Sequence, residues 1–169
     1  MPTARERLDR DRVIKTAIDL LDQVGLDGLT LRRLATELGV QAPALYWYFR
    51  NKQELLDHML DAIMRSERAW RTPDPGEAWD AWLTALAGST RRTLNQHRDG
   101  AMLAASTHPL DDRWGDVEQS LAVLVDAGFT ASEALRALLT IGNYVSGFTL
   151  EEQADRVRGV TGASEDQWE

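Results

Sequence analysis

The chain has 169 residues, 43% hydrophobic and 27% charged, with no run of 18 apolar residues, which excludes a transmembrane helix and fits a globular protein. It contains no cysteine, which excludes disulfides and thiolate metal sites, and its charged start "MPTARERLDRDR" lacks the apolar core of a signal peptide, so a reducing cytoplasm is the expected location. The net charge of −8 argues against nucleic-acid binding as a single number, but residues 1–53 hold nine basic and seven acidic side chains and residues 54–169 hold ten and twenty, a mildly basic head on an acidic body.

Residues 10–24 read as a helix, with Ile14, Ala17, Ile18, Leu21 and Val24 forming one apolar stripe and Gly25 closing it. Thr30 caps a second helix carrying Leu31, Leu34, Ala35 and Leu38, and Gly39 ends it. A third short helix starts near Ala42, where Pro43 is acceptable in the first turn. Asn51 with Glu54 three residues on resembles a capping box and opens a fourth helix to about Trp70. "RTPDPG" at 71–76 is the clearest boundary in the chain. Further helices are expected over Glu77 to Gln96, Asp112–Ala127 closed by Gly128, and Ala131 to about Arg158, with "HRDG" and "THPLDD" as punctuation. No segment alternates with period two. The fold class is therefore all-α, with a head at 1–50 and a helical body at 51–169.

"LGVQAPALYWYF" at 38–49 sets a proline and three consecutive aromatics after a glycine turn. Two short helices joined by "LGVQA" have the helix-turn-helix layout, with Val40 plugging the joint. In that reading the second helix enters the major groove. Leu45 and Phe49 face the core, and Gln41, Ala42, Pro43, Ala44, Tyr46, Trp47 and Tyr48 face DNA. Thr30, Arg32, Arg33 and Lys52, with the tyrosine hydroxyls, are candidates for phosphate contacts. The alternative is that the aromatics simply pack a small three-helix head.

The stretch "VIKTAIDLLDQVGLDGLTLRRLATELGVQAPALYWYFRNKQELLDHML" closely resembles the DNA-binding domain of the tetracycline-repressor (TetR) family. The resemblance implies an all-helical, homodimeric transcriptional repressor of a palindromic double-stranded DNA operator, released by a small-molecule effector. "HRDGAM", "STHP", "AGF" and "LEEQ" extend the likeness to the body of the tetracycline repressors. The residues that grip a tetracycline–magnesium chelate in that subgroup correspond here to Ala104 in place of a histidine, Leu86 and Thr90 in place of Asn and Phe, Arg68 in place of a histidine, and His108 in place of an arginine; an acid persists at Glu151. The effector is therefore expected not to be that chelate. Subgroup members continue for one or two further helices, so the resemblance implies either a short member or a body continued beyond Glu169.

Met64, Arg68, Leu86, Thr90, Met102, His108, Trp114, Val117, Leu138, Ile141 and Tyr144 are candidates to line a cavity among the body helices, against the alternative of a filled core. Arg68 and His108 suggest an apolar effector with one anionic or carbonyl end. His58, His97 and His108 have no zinc-site spacing, and no nucleophile signature or phosphate loop stands out, so no metal, cofactor or enzymatic role is expected. The Trp79/Trp82 pair reads most simply as packing. The competing functional readings are a helical protein-interaction module that has lost DNA binding, or a ligand carrier.

Overall fold

In the computed structural model, which describes residues 8–67, 69–108, 110 and 113–159, the regular structure of the described residues is entirely helical. Helix α1 (Arg10–Gly28) begins where the Asp9 carboxylate accepts the Arg12 N–H at 2.8 Å. Val13, Ala17, Leu20 and Leu21 bury its inner face. At Gly25 the backbone leaves helical geometry (φ 73°, ψ 175°), and one further turn runs to Gly28, so the expected stop is a kink.

Helix α2 (Leu31–Leu38) is capped by the Thr30 hydroxyl, which accepts the Arg33 N–H, and closed by Gly39 at φ 67°. Val40 N–H then reaches back to the Ala35 carbonyl at 2.9 Å. The third short helix begins at Ala42 as expected and is a 3₁₀ segment over Ala42–Trp47. Gln41 gives it no side-chain cap and Pro43 brings no N–H donor, so the bonds that form are short ones, Ala44 N–H to Gln41 O and Tyr48 N–H to Leu45 O.

Helix α3 (Lys52–Ser66) opens as expected, with the Asn51 side chain accepting the Glu54 N–H. The reciprocal half of the box is displaced by one residue, because the Glu54 carboxylate takes the Arg50 N–H at 2.6 Å. The helix stops four residues short of Trp70; Ala69, buried, donates to Met64 O and turns the chain away. These elements share one core around Leu34, Leu45, Phe49 and Met59, and Leu94 and Leu103 from the body belong to the same cluster.

The body holds α4 (Trp79–Gln96), α5 (Gly100–Ala105), α6 (Trp114–Asp126) and α7 (Ala131–Arg158). Glu77 does not start α4. Its carboxylate accepts two bonds from Arg71 at 2.5 and 2.7 Å and one from the Asp74 N–H, which fixes the preceding loop. Helix α5, in the stretch expected to be punctuation, is held by Gln153, whose side-chain oxygen accepts the Ala101 N–H while its amide donates to Leu94 O and His97 O. Helix α6 opens at Trp114, and its expected start at Asp112 lies outside the described residues. Helix α7 has the expected limits, with a full Thr130–Glu133 capping box. Trp82, Leu83, Leu124 and Ala134 form the second core. Trp82 donates its indole N–H to Arg71 O, and Trp79 meets the edge of Phe129 at 5.0 Å, so both tryptophans pack.

Candidate nucleic-acid interface and body cavity

The 3₁₀ segment owes its unusual surface to its tight winding. Leu45 and Phe49 are buried in the head core, while Gln41, Pro43, Tyr46 and Trp47 are exposed, Trp47 by 89%. An indole so open to water packs nothing in the chain itself, which disfavours the reading of this cluster as simple head packing. Ala42 and Ala44 are half-buried, and Ala42 rests on the core. Tyr48 departs from the expected DNA-facing set: it is half-buried and its hydroxyl donates to Leu8 O at 2.7 Å, so that proton is not available to a phosphate.

Arg32 and Arg33 lie exposed on the first turn of α2, beside the Thr30 cap, where backbone N–H groups and the helix dipole favour an anion. The Arg33 guanidinium also donates to Gly28 O at 3.1 Å, which steadies it across the α1–α2 turn. Lys52 is the half-buried first residue of α3.

The head is tied to the body at the α4–α5 turn. Asp22 of α1 accepts the Arg98 N–H at 3.0 Å and lies 3.0 Å from His97 Nδ1. Asp99, in left-handed backbone at φ 56°, accepts the Leu26 N–H at 2.8 Å just after the Gly25 kink. Arg98 reaches Gln23 O. Gly25 is required here: a Cβ on it would lie 2.6 Å from the Asp99 carboxylate and would occupy a backbone conformation that side chains disfavour.

In the body a cavity of about 290 Å³ opens between α3, α4, α5 and α7, a volume that fits a small molecule. Met64, Leu86, Thr90, His108, Leu138 and Ile141 line it as expected, and Ala104 lines it too. Val117 instead borders a second chamber of about 330 Å³ between α4, α6 and α7. Three expected lining residues face elsewhere: Met102, Trp114 and Tyr144 are exposed, and Tyr144 stacks on Phe148 at 6.1 Å. Arg68 lies outside the described residues. The sequence reading missed Trp70, Ala87, Thr107 and Ser146. Ser146 was detectable, since it lies one turn beyond Gly142 on the Leu138–Ile141–Val145 stripe.

Ion pairs brace these walls. Arg113, nearly buried, sits 2.7 Å from Asp61, 2.5 Å from Asp116 and over the Trp70 ring. The Arg71 hydrogen bonds, with help from the Asp74 N–H, hold the Glu77 carboxyl at about 2. Glu152 of α7 is likewise held at about 2, chiefly by its paired hydrogen bonds from Arg91 of α4 and then by Asn95. No helix among the described residues is long and apolar enough to cross a membrane.

Residues 13–59 match the family described as bacterial regulatory proteins, tetR family, and residues 72–167 match the tetracyclin repressor-like C-terminal domain. The Escherichia coli tetracycline repressor protein class C is 44% identical over 88% of this chain and 68% of its own length. A TetR structure from Acinetobacter baumannii in complex with minocycline superposes with a TM-score of 0.85 at 40% identity, covering 89% of this chain and 80% of that one. The structure of BioQ with its double-stranded DNA operator gives 0.77 at 35% identity over 90% and 89% of the two chains.

Proposed function

The chain belongs to the tetracycline-repressor family of bacterial regulatory proteins, and from that premise we propose that it is a ligand-responsive transcriptional repressor of a palindromic operator, acting in the cytoplasm by binding alone. The observation that carries this reading is the exposed Gln41–Tyr46–Trp47 surface, raised on a buried Leu45–Phe49 base beside the Arg32/Arg33 turn. Gln41 is suited to a base edge, the alanine and proline carbons to a thymine methyl, and Thr30, Arg32, Arg33 and Lys52 to phosphates. The head then corresponds to about residues 1–50 and the body, from 51 onward, to effector binding and dimerisation. Tyr144 and Phe148, stacked yet exposed on α7, supply apolar surface for a second copy. Two heads on a two-fold axis would read half-sites about 10 bp apart.

The cavity meets the operator-binding head through α5. Ala104 near its end, with Thr107 and His108 just beyond it, lines the cavity, and its beginning adjoins the His97–Asp99 turn that grips α1. An effector that shifts α5 would thereby reorient the head. We propose further that this effector is not a tetracycline–magnesium chelate. Ala104 and Leu86 offer methyl groups where such a ligand needs an imidazole and an amide, and Thr90 offers no ring to stack. Fluorescence anisotropy with DNA flanking the protein's own gene tests the regulatory reading: specific binding that a small molecule reverses is expected. Absence of any sequence preference over random DNA would turn the assignment toward an interaction module. Calorimetric titration with tetracycline and Mg²⁺ should show no submicromolar binding.

A further inference from the structure

Helix α1 begins against the base of the 3₁₀ segment, and two side chains hold it there. The Tyr48 hydroxyl donates to Leu8 O at 2.7 Å. Two residues on, the Arg10 guanidinium lies over the Phe49 ring, 5.0 Å from its centroid, and 3.2 Å from Glu54 Oε1. The second Glu54 oxygen accepts the Arg50 N–H at 2.6 Å. Arg10 thus gathers the start of α1, the exit of the 3₁₀ segment and the first turn of α3. His58 completes the cluster. It meets the Phe49 ring edge-on at 5.8 Å, and its Nε2 lies 2.6 Å from Arg10 Nη2. A guanidinium carries donors and no acceptor, so at that distance the imidazole nitrogen offers its lone pair. The ring is therefore neutral, with its proton on Nδ1. A second proton, on Nε2, would set two cations N–H to N–H. Arg10, with a side chain 45% exposed, is the partner free to leave, and leaving forfeits both the Phe49 face and Glu54.

We propose that His58 is a positioning residue for operator recognition. Neutral, it steers Arg10 under Phe49 and so fixes the segment that presents Gln41, Tyr46 and Trp47; charged, it expels Arg10 and loosens that segment. This rests on the reading of the head as the operator-binding part. The other charged groups of the elements that meet here have their own engagements. On α1, Asp9 caps the helix, and Asp11 and Lys15 line the groove toward His97. Arg50 is exposed beyond Phe49. On α3, Glu54 is shared by Arg10 and the Arg50 N–H, Asp57 accepts from Gln53 and the His108 N–H, and Asp61 is held by Arg65 and Arg113. Because the neutral ring is the one that fits, its contribution is complete above the range where histidine ordinarily titrates and is lost as the pH falls through it. Operator binding should then weaken in mild acid, against the ordinary trend in which added positive charge strengthens contact with phosphates.

The test uses the full chain and DNA flanking its own gene, with anisotropy titrations at fixed ionic strength. Wild-type affinity should fall about fivefold or more from about pH 7.5 to about pH 5.5, one proton permitting at most about tenfold per pH unit. His58→Gln, whose side-chain carbonyl can accept from Arg10 but takes no proton, should bind equally at both. Arg10→Met should bind weakly at both. Hydrogen exchange is read in parallel on the DNA-free chain. The Tyr48 and Phe49 amides, which donate to Leu45 O, should lose protection severalfold in acid, corrected for intrinsic rate, in the wild type and not in His58→Gln. Circular dichroism at both pH values should show unchanged helix content. Affinity that is flat or rises in acid, unchanged protection in the wild type, an acid step kept by His58→Gln or Arg10→Met, or a step that coincides with loss of helix would overturn the proposal. Failure to prefer the flanking DNA over random DNA at either pH would count against the regulatory reading, and the exchange measurement would still decide whether His58 governs the segment.

Discussion

Single side chains in the head carry two separable tasks. Gln41 and Tyr46 are exposed on the 3₁₀ segment, so truncation to alanine should leave stability nearly unchanged while costing operator binding about 1–3 kcal/mol each and relaxing base preference. Lys52→Ala should weaken binding on all sequences and flatten its dependence on salt, read from anisotropy titrations at several ionic strengths. Gly25 does the opposite kind of work. Its φ of 73° with ψ of 175° is glycine's territory, and the Asp99 carboxylate occupies the room a methyl group would need. Gly25→Ala should therefore destabilise by about 1–3 kcal/mol, measured by urea unfolding. The need for glycine at 25 was legible in the sequence as a helix stop, but its second reason was not. Asp99 lies 74 positions away in the chain, and no local pattern announces that meeting. Tyr48 was misjudged for a related reason: its neighbours in sequence face out, and only the fold brings Leu8 O to its hydroxyl.

Helices with strong local signals were legible almost to the residue. Helix α7 was bounded correctly because Thr130, Glu133 and Gly159 mark both ends chemically, and α2 because Thr30 and Gly39 do. Helix α5 was missed because its support is remote: six residues with no side-chain cap are held by Gln153 from another helix. The α4–α7 pairing also depends on remote partners, and it should respond to acid. Glu152 titrates near its ordinary value in the unfolded chain but at about 2 when folded against Arg91. Its contribution is thus complete above pH about 4.5 and falls away as the pH drops toward 2. Melting temperatures measured across that window should decline in the wild type and decline less in Glu152→Gln, which starts lower at neutral pH. Arg91 is half-exposed, so that neutral-pH difference should be small.

Across the whole molecule, the charge asymmetry between head and body and the all-helical class were visible from composition and periodicity. The arrangement of the cavity was less so, because half-buried apolar residues look alike whether they fill a core or border a void. What the amino-acid order does not reveal is that the core of the head runs on into the body. Leu94 and Leu103 are less than 2% exposed and pack in the same cluster as Leu34 and Phe49, while α3 carries the stripe from Leu55 to Met64 through its middle. Melting one part exposes the other's apolar surface. Scanning calorimetry of the full chain should accordingly show one transition, with the calorimetric and van't Hoff enthalpies equal; two resolved transitions would contradict the shared core. The shared cluster also has a consequence for information flow. A molecule that occupies the body cavity without touching DNA raises the melting temperature of the recognition surface by mass action alone. Effector and operator then compete through orientation and cooperate through stability, so the sign of their coupling is open to change by a few contacts at one turn.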